Sequence, residues 1–211
     1  MIIEVNPNHP QPRRIEQILE VLRSGGLVAY PTDTIYGIGC DIFNRKAVER
    51  LHQLVREIKG SPDHSPLSFI CHDLSNISEY AIVNDYSYRT LKRMLPGPYT
   101  FILEATKLVP KIMLNKRKTV GIRVPDSAIP LEIVRALGNP IATTSATQPD
   151  GELIPDPWTI DDLYGHAVEL VIDGGYLFPE PSTIIDFSGD HPQLIRKGKG
   201  SVGDLEYVEL I

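Results

Sequence analysis

The stretch LVAYPTDTIYGIGCD, Leu27 to Asp41, changes character halfway along. Leu27–Tyr30 is a short apolar run with strand composition. Pro31 fixes its own φ and biases Tyr30 toward extended geometry, so the strand ends sharply. Thr32, Asp33, Thr34, Gly37 and Gly39 follow, with almost nothing to bury. Two hydroxyls and a carboxylate at the C-terminal end of a strand lie where open α/β sheets bind ligands. The glycines allow positive φ or a very close backbone approach. The same residue types also serve simply to cap a turn through side-chain-to-backbone bonds, and the stretch alone leaves both readings open.

Three further segments share this style. PIATTSATQPDG reads as a strand at Pro140–Ala142 followed by Thr143, Thr144, Ser145 and Thr147 among small residues. Hydroxyls there can donate to phosphate or carboxylate oxygens, or form a hydroxyl-rich turn. TVGIRVP places Arg123 inside an apolar strand, and a guanidinium so placed needs an anionic partner, because leaving it unpaired is costly. A ligand, or a structural carboxylate such as Asp173 or Asp186, would serve. PSTIIDF puts Ser182 and Thr183 at a strand start, and LIRKG puts Arg196 at a strand end.

The rest of the chain supplies the scaffold. Helical spacing marks Ile15, Ile18, Leu19 and Leu22, then Val48, Leu51 and Val55, then Tyr88, Leu91 and Leu95 as inward faces,. Helices and strands interleave without repeats over 211 residues, which predicts one α/β domain over 1–211 with helices packed on a sheet. The later strands follow one another without helices, so part of the sheet is expected to be antiparallel. The loop from Thr147 to Trp158 is the expected mobile flap, and a short helix is expected at the C-terminus.

Composition narrows the function. With 42% hydrophobic and 23% charged residues the chain is ordinary for a globular protein,. It has neither a run of about 18 apolar residues nor the start of a signal peptide. Cys40 and Cys71 have no metal-ligand spacing, and a reduced, cytoplasmic protein is expected. His52, His64, His72 and His166 make no ligand spacing either. Net charge is −6, yet Lys107, Lys111, Lys116, Arg117, Lys118 and Arg123 fall within one acid-free stretch, a basic surface suited to a single anionic ligand. GKGSVG at Gly198–Gly203 mimics a dinucleotide motif, but too little chain follows for a βαβ unit, so it is a turn.

Taken in order, YPTDTIYGIGCD, IKGSP…PLSF, PGPYTFIL, KRKTVGIRVP, PIATTSAT, DGG and STIIDF…LIRKG resemble the YrdC/YciO family of threonylcarbamoyl-AMP synthases, over about Gln11 to Gly203. KRKTVGIRVP and DGGYL look most like the YciO branch. The resemblance implies a single-domain, twisted, open mixed α/β sheet with flanking helices and a concave basic cavity. It implies ATP with magnesium, L-threonine and bicarbonate as ligands, and threonylcarbamoyl-adenylate for tRNA modification as product. Carried onto this chain, Thr32 and Ser182 would contact threonine, and Arg123 its carboxylate or carbamate. Lys59 and Arg196 would hold phosphates, and Thr143 and Ser145 would line the nucleotide site. Lys59 and Arg123 would be the catalytic pair. No protein-derived metal site is implied.

The chain departs from the family pattern at Ser61, where an arginine is usual, at Thr147, where an asparagine is usual, and at Ile70, often a histidine. These departures bear on catalytic efficiency. Ser61 and Thr147 sustain an alternative in which the same concave surface is an RNA-binding module for tRNA or double-stranded RNA with little or no catalysis. A related carbamoyl- or acyl-phosphate chemistry on another substrate is a third reading.

Overall fold

The computed structural model describes residues 1–59, 67–203 and 209–210. Its first half runs β1 (Ile2–Glu4), α1 (Pro12–Arg23), β2 (Val28–Tyr30), β3 (Gly37–Asp41), α2 (Arg45–Lys59), β4 (Ser68–Ile70), α3 (Leu74–Tyr80) and α4 (Asp85–Met94). Next come β5 (Tyr99–Glu104), a 3-10 turn at Lys111–Met113, β6 (Thr119–Arg123), α5 (Ala128–Leu137) and β7 (Ile141–Ser145). The chain continues through α6 (Pro157–Tyr164), β8 (Leu170–Asp173), β9 (Thr183–Asp186), β10 (Gln193–Arg196) and β11 (Glu209–Leu210).

Among the described residues all eleven strands join one sheet, in the order β1-β8-β2-β3-β7-β4-β6-β5-β9-β10-β11. β2–β3, β3–β7, β7–β4, β6–β5 and β9–β10 pair antiparallel, and the other neighbours pair parallel. The fold is therefore α/β with a mixed sheet, as the interleaved pattern predicts.

Alternation along the strands splits the core into two layers. Ala29, Ile38, Phe69, Ile122, Ala142 and Val171 pack with Val48 and Leu51 of α2, Ile77 of α3, Leu91 of α4 and Ile160 of α6. Their neighbours Val28, Tyr30, Ile70, Ile141, Leu170 and Ile172 pack instead with Ile15, Ile18, Leu19 and Leu22 of α1 and Ile129 and Ile133 of α5. Only two of the described helices contribute to this second layer, and beyond their reach the same face carries polar residues.

Local chemistry sets the helix starts. Pro12 opens α1,. Asp73, Asn84 and Asp156 accept the backbone N–H groups of Asn76, Ser87 and Thr159, capping α3, α4 and α6,.

Several expectations need correction. Helix α4 turns Ser87, Thr90, Leu91 and Met94 inward, and its C-cap Leu95 packs half-buried against the same core, whereas Tyr88 is exposed. The segment Thr147–Trp158 is tied down rather than loose. Gln148 N–H donates to Glu152 at 2.7 Å, Ile154 is fully buried, and Pro157 already belongs to α6. The expected C-terminal helix falls partly on 204–208, outside the described residues, while Glu209–Leu210 is a strand paired with β10.

Cys40 and Cys71 are free and buried, and burial pushes both thiols well above their ordinary range,. Both should resist iodoacetamide at pH 8 in the folded protein and react once it is denatured. Native-state alkylation, read by mass spectrometry, would contradict a closed core here.

Candidate functional site

The uncovered part of the second face is built by period-two alternation. Ser68 and Ile70 of β4, Gly121 and Arg123 of β6, and Thr143 and Ser145 of β7 each lie two residues apart, so each pair shares one side of its strand. Register aligns them: Ser68 pairs with Gly121 and Thr143, and Ile70 with Arg123. Gly37 and Gly39 of β3 pair with Ser145 and Thr143. The result is a cavity of about 120 Å³ within roughly 610 Å³ of space open to solvent. Thr32, Tyr36, Gly37, Ser68, Thr100, Arg123, Thr143, Thr144, Ser145, Ser182 and Arg196 supply its polar lining, with Ile35, Ile70 and Ile184 between them.

Arg123 is the buried cation of this cavity, and its position is fixed through one nitrogen. Nη2 donates to Asp33 Oδ1 at 2.9 Å and to Thr34 Oγ1 at 2.8 Å. Thr32 Oγ1 accepts from the N–H groups of Thr34 and Ile35, both at 3.2 Å, and donates to Ile35 O at 2.6 Å. The Thr32 and Thr34 hydroxyls also lie 3.0 Å apart. A relay from Arg123 through Thr34 to Thr32 thus joins β6 to the turn after β2. Asp33 Oδ2 and Arg123 Nε are buried with no hydrogen-bond partner among the described residues,.

The second cation, Arg196, is half-exposed and held by oxygens alone. It donates to Ser182 O at 3.1 and 2.9 Å and to Ser182 Oγ at 3.3 Å. Ser182 Oγ also lies 2.8 Å from Thr100 Oγ1. Burial lowers the Arg123 guanidinium below its ordinary range while Asp33 opposes that shift. Burial, and then repulsion from Arg123, lower Arg196 in the same direction. The repulsion felt at Arg196 describes a positive potential at that end of the cavity that an anion would relieve,.

Two tyrosines frame the wall. Tyr30 Oη donates to Thr143 Oγ1 at 2.7 Å, and complete burial holds its phenol protonated by raising its pKa. Tyr36 Oη donates to Gly175 O at 2.7 Å, and burial pushes its pKa up to about 12.

The structure brings Thr32, Arg123, Thr143, Ser145, Ser182 and Arg196 to one cavity. Lys59 ends α2; its side chain, like Ser61, lies outside the described residues. Thr143 and Ser145 lie within β7, not after it, and alternation is what presents both to one face. The partner of Arg123 is Asp33, not Asp173 or Asp186; Asp186 pairs with Arg117 at 3.3 Å. Of the basic stretch only Arg123 reaches the cavity, and Lys107, Lys111, Lys116 and Lys118 are exposed elsewhere. Gly37 and Gly39 have no positive φ; they are needed because Tyr30, Thr143 and the β7 backbone press against them. The sequence offered Asp33 as part of the turn but not as the partner of Arg123, and Tyr36, Ser68 and Thr100 were not singled out as site residues by sequence. For Ser68 the available signal was its two-residue spacing from Ile70.

Comparison with known proteins is consistent with this geometry. The family model Sua5/YciO/YrdC, described as telomere recombination, matches residues 20–198. The chain belongs to this family. A YciO protein of Escherichia coli is 42% identical over 200 residues, spanning 94% of this chain and 95% of its own. Its crystal structure superposes with a TM-score of 0.89 at 40% identity, covering 96% of this chain and 98% of the other. A threonylcarbamoyl-AMP synthase of Pyrococcus abyssi is 33% identical over 159 residues, 73% of this chain and 44% of its own length. The structure of P. abyssi Sua5 complexed with L-threonine matches with a TM-score of 0.84 at 29% identity, over 94% of this chain and 57% of that one. Among the described residues no helix is long and apolar enough to cross a membrane.

Proposed function

We propose that the cavity joins L-threonine, bicarbonate and ATP into threonylcarbamoyl-adenylate, releasing pyrophosphate. The observation that carries this reading is the convergence of Arg123, fixed by Asp33 and Thr34, with Arg196 and the hydroxyls of Thr143, Ser145 and Ser182 on one concave face. More distant relatives bear the name of that activity, and the Sua5 structure holds L-threonine; the nearer YciO relatives bear no activity in their name.

The residue types suit the chemistry. Threonine's amine takes up carbon dioxide, supplied by bicarbonate, giving a carbamate and losing a proton. A carbamate oxygen then attacks the α-phosphorus, and the bond to the pyrophosphate oxygen breaks. No protein nucleophile takes part, so the work of the site is to hold anions together and offset charge on the departing pyrophosphate. Arg123 suits the threonine carboxylate or carbamate. Arg196 suits the phosphates, and Thr143 and Ser145 the nucleotide. The cavity lining contains no carboxylate, and no cluster of three or more metal-ligating side chains exists among the described residues. These residues do not fit a magnesium ion held by the protein. Magnesium enters as part of the nucleotide substrate, with phosphate oxygens and water as ligands.

The test is pyrophosphate release from ATP with threonine and bicarbonate, omitting each in turn. Release is expected only with all three, and release that ignores threonine would overturn the substrate assignment. Exposed Lys107, Lys111, Lys116 and Lys118 outside the cavity, with the sequence departures at Ser61 and Thr147, favour an RNA module. For that role, tRNA or double-stranded RNA affinity would fall steeply with salt, with no pyrophosphate formed.

A further inference from the structure

The Gly198–Gly203 turn, discounted above as a nucleotide motif, is built around one side chain. Its backbone is bolted down on both sides of Lys199. Gly198 N–H donates to Thr183 Oγ1 at 3.0 Å, and that hydroxyl donates to Gly200 O at 2.7 Å. The Lys199 N–H donates to Pro181 O at 2.9 Å. Neither flanking position has room for a side chain. A Cβ at Gly198 would lie 2.1 Å from Pro181 O, and one at Gly200 would lie 2.3 Å from the Tyr99 ring. A rigid strap therefore presents a single lysine, and its ammonium donates to the main-chain carbonyl of Asp33 at 2.5 Å.

That carbonyl belongs to the turn whose Thr32 and Ile35 line the cavity, and its side chain holds Arg123. Lys199 and Arg196 share a further property. Among the described residues neither has a carboxylate partner, and both rest on neutral carbonyl oxygens. A lysine ammonium is a compact, mobile charge on a flexible stem, so exchanging a carbonyl for a phosphate oxygen is favourable and needs only side-chain rotation. The strap keeps the stem rooted beside Ser182 and Arg196 while the head moves.

The geometry points to Lys199 as a third cation of the cavity, parked at its rim on Asp33 and drawn onto the polyphosphate tail of the bound nucleotide. The inference rests on the proposed reading of the cavity as a nucleotide site. Arg123, neutralised by Asp33, then serves the amino-acid end, and Arg196 with Lys199 serves the end from which pyrophosphate departs.

Calorimetric titration with inorganic tripolyphosphate tests this on the full chain. Lys199→Gln should weaken tripolyphosphate binding about tenfold, the worth of one charge-assisted hydrogen bond, and leave L-threonine binding unchanged. Lys199→Arg should keep most of the tripolyphosphate affinity, and Lys46→Gln, a lysine exposed on α2, should keep all of it; thermal melts check that each variant folds. Equal tripolyphosphate affinity in Lys199→Gln and the unaltered protein would overturn the role of Lys199 alone. Equal losses in the Gln and Arg variants would also overturn it, by showing that the strap depends on packing and not on charge. An unaltered protein that takes up neither tripolyphosphate nor ATP would overturn the nucleotide reading itself, and this inference with it.

Discussion

Arg123→Ala is expected to lose about 3 kcal/mol of transition-state stabilisation, roughly a hundredfold in turnover, and to destabilise the fold by about 3–5 kcal/mol. The two losses have different origins. The first removes a guanidinium that lines the cavity. The second leaves Asp33 buried without its counter-charge, because the Asp33 and Arg123 side chains are only 9% and 10% exposed. It also breaks the relay through Thr34 that shapes the Thr32–Ile35 turn. A second variant separates them. Asp33→Asn combined with Arg123→Met removes both charges, so it should recover much of the stability in urea titrations while pyrophosphate release stays low. Unchanged turnover in Arg123→Ala would refute its role toward substrate, and unchanged stability would refute the structural role of the pair.

The same pair shows what could be read in advance. That Arg123 needs an anion follows from one buried guanidinium in an apolar strand. Which anion depends on strand order, since β6 reaches the β2–β3 turn only because the sheet runs β3-β7-β4-β6. Asp33 lies 90 residues away in sequence, and no local rule selects it over Asp173 or Asp186. The turn itself posed a choice between ligand and cap. Thr32 Oγ1 is fully engaged in capping bonds and still belongs to the lining, so the two readings coexist. The alternation of Ser68 with Ile70 and of Thr143 with Ser145 was visible in the sequence. Placing Thr143 after a strand instead of inside it hid the alternation. Lys199 was hidden for a different reason: its significance comes from contacts to Pro181, Thr183 and Tyr99, which a motif search does not register.

Gly39→Ala is expected to cost about 3 kcal/mol, an unusually large effect for one methyl group. Gly39 has ordinary strand geometry, so positive φ is not the issue. An added Cβ would lie 2.5 Å from the carbonyl oxygen of Ala142, 2.6 Å from Ile141 Cγ2 and 3.1 Å from Tyr30 Oη. The first of these is backbone in the centre of the sheet, where β3 and β7 pair along five residues, and it has no rotamer into which to retreat. Relief requires β3 to lift from β7, which carries Thr143 and Ser145. Gly37→Ala is the internal control, because there the nearest atoms are the Thr143 hydroxyl at 3.1 Å and the Tyr30 ring at 3.3 Å. A shift of a few tenths of an ångström accommodates the methyl group, so about 1 kcal/mol is expected. Gly37 lines the cavity, however, so its variant should raise KM for a cavity ligand more than it lowers the melting temperature. If urea titration ranks Gly37→Ala as the more damaging of the two, the tight β3–β7 approach assigned here is wrong, and the glycines of this stretch serve the ligand before they serve the sheet.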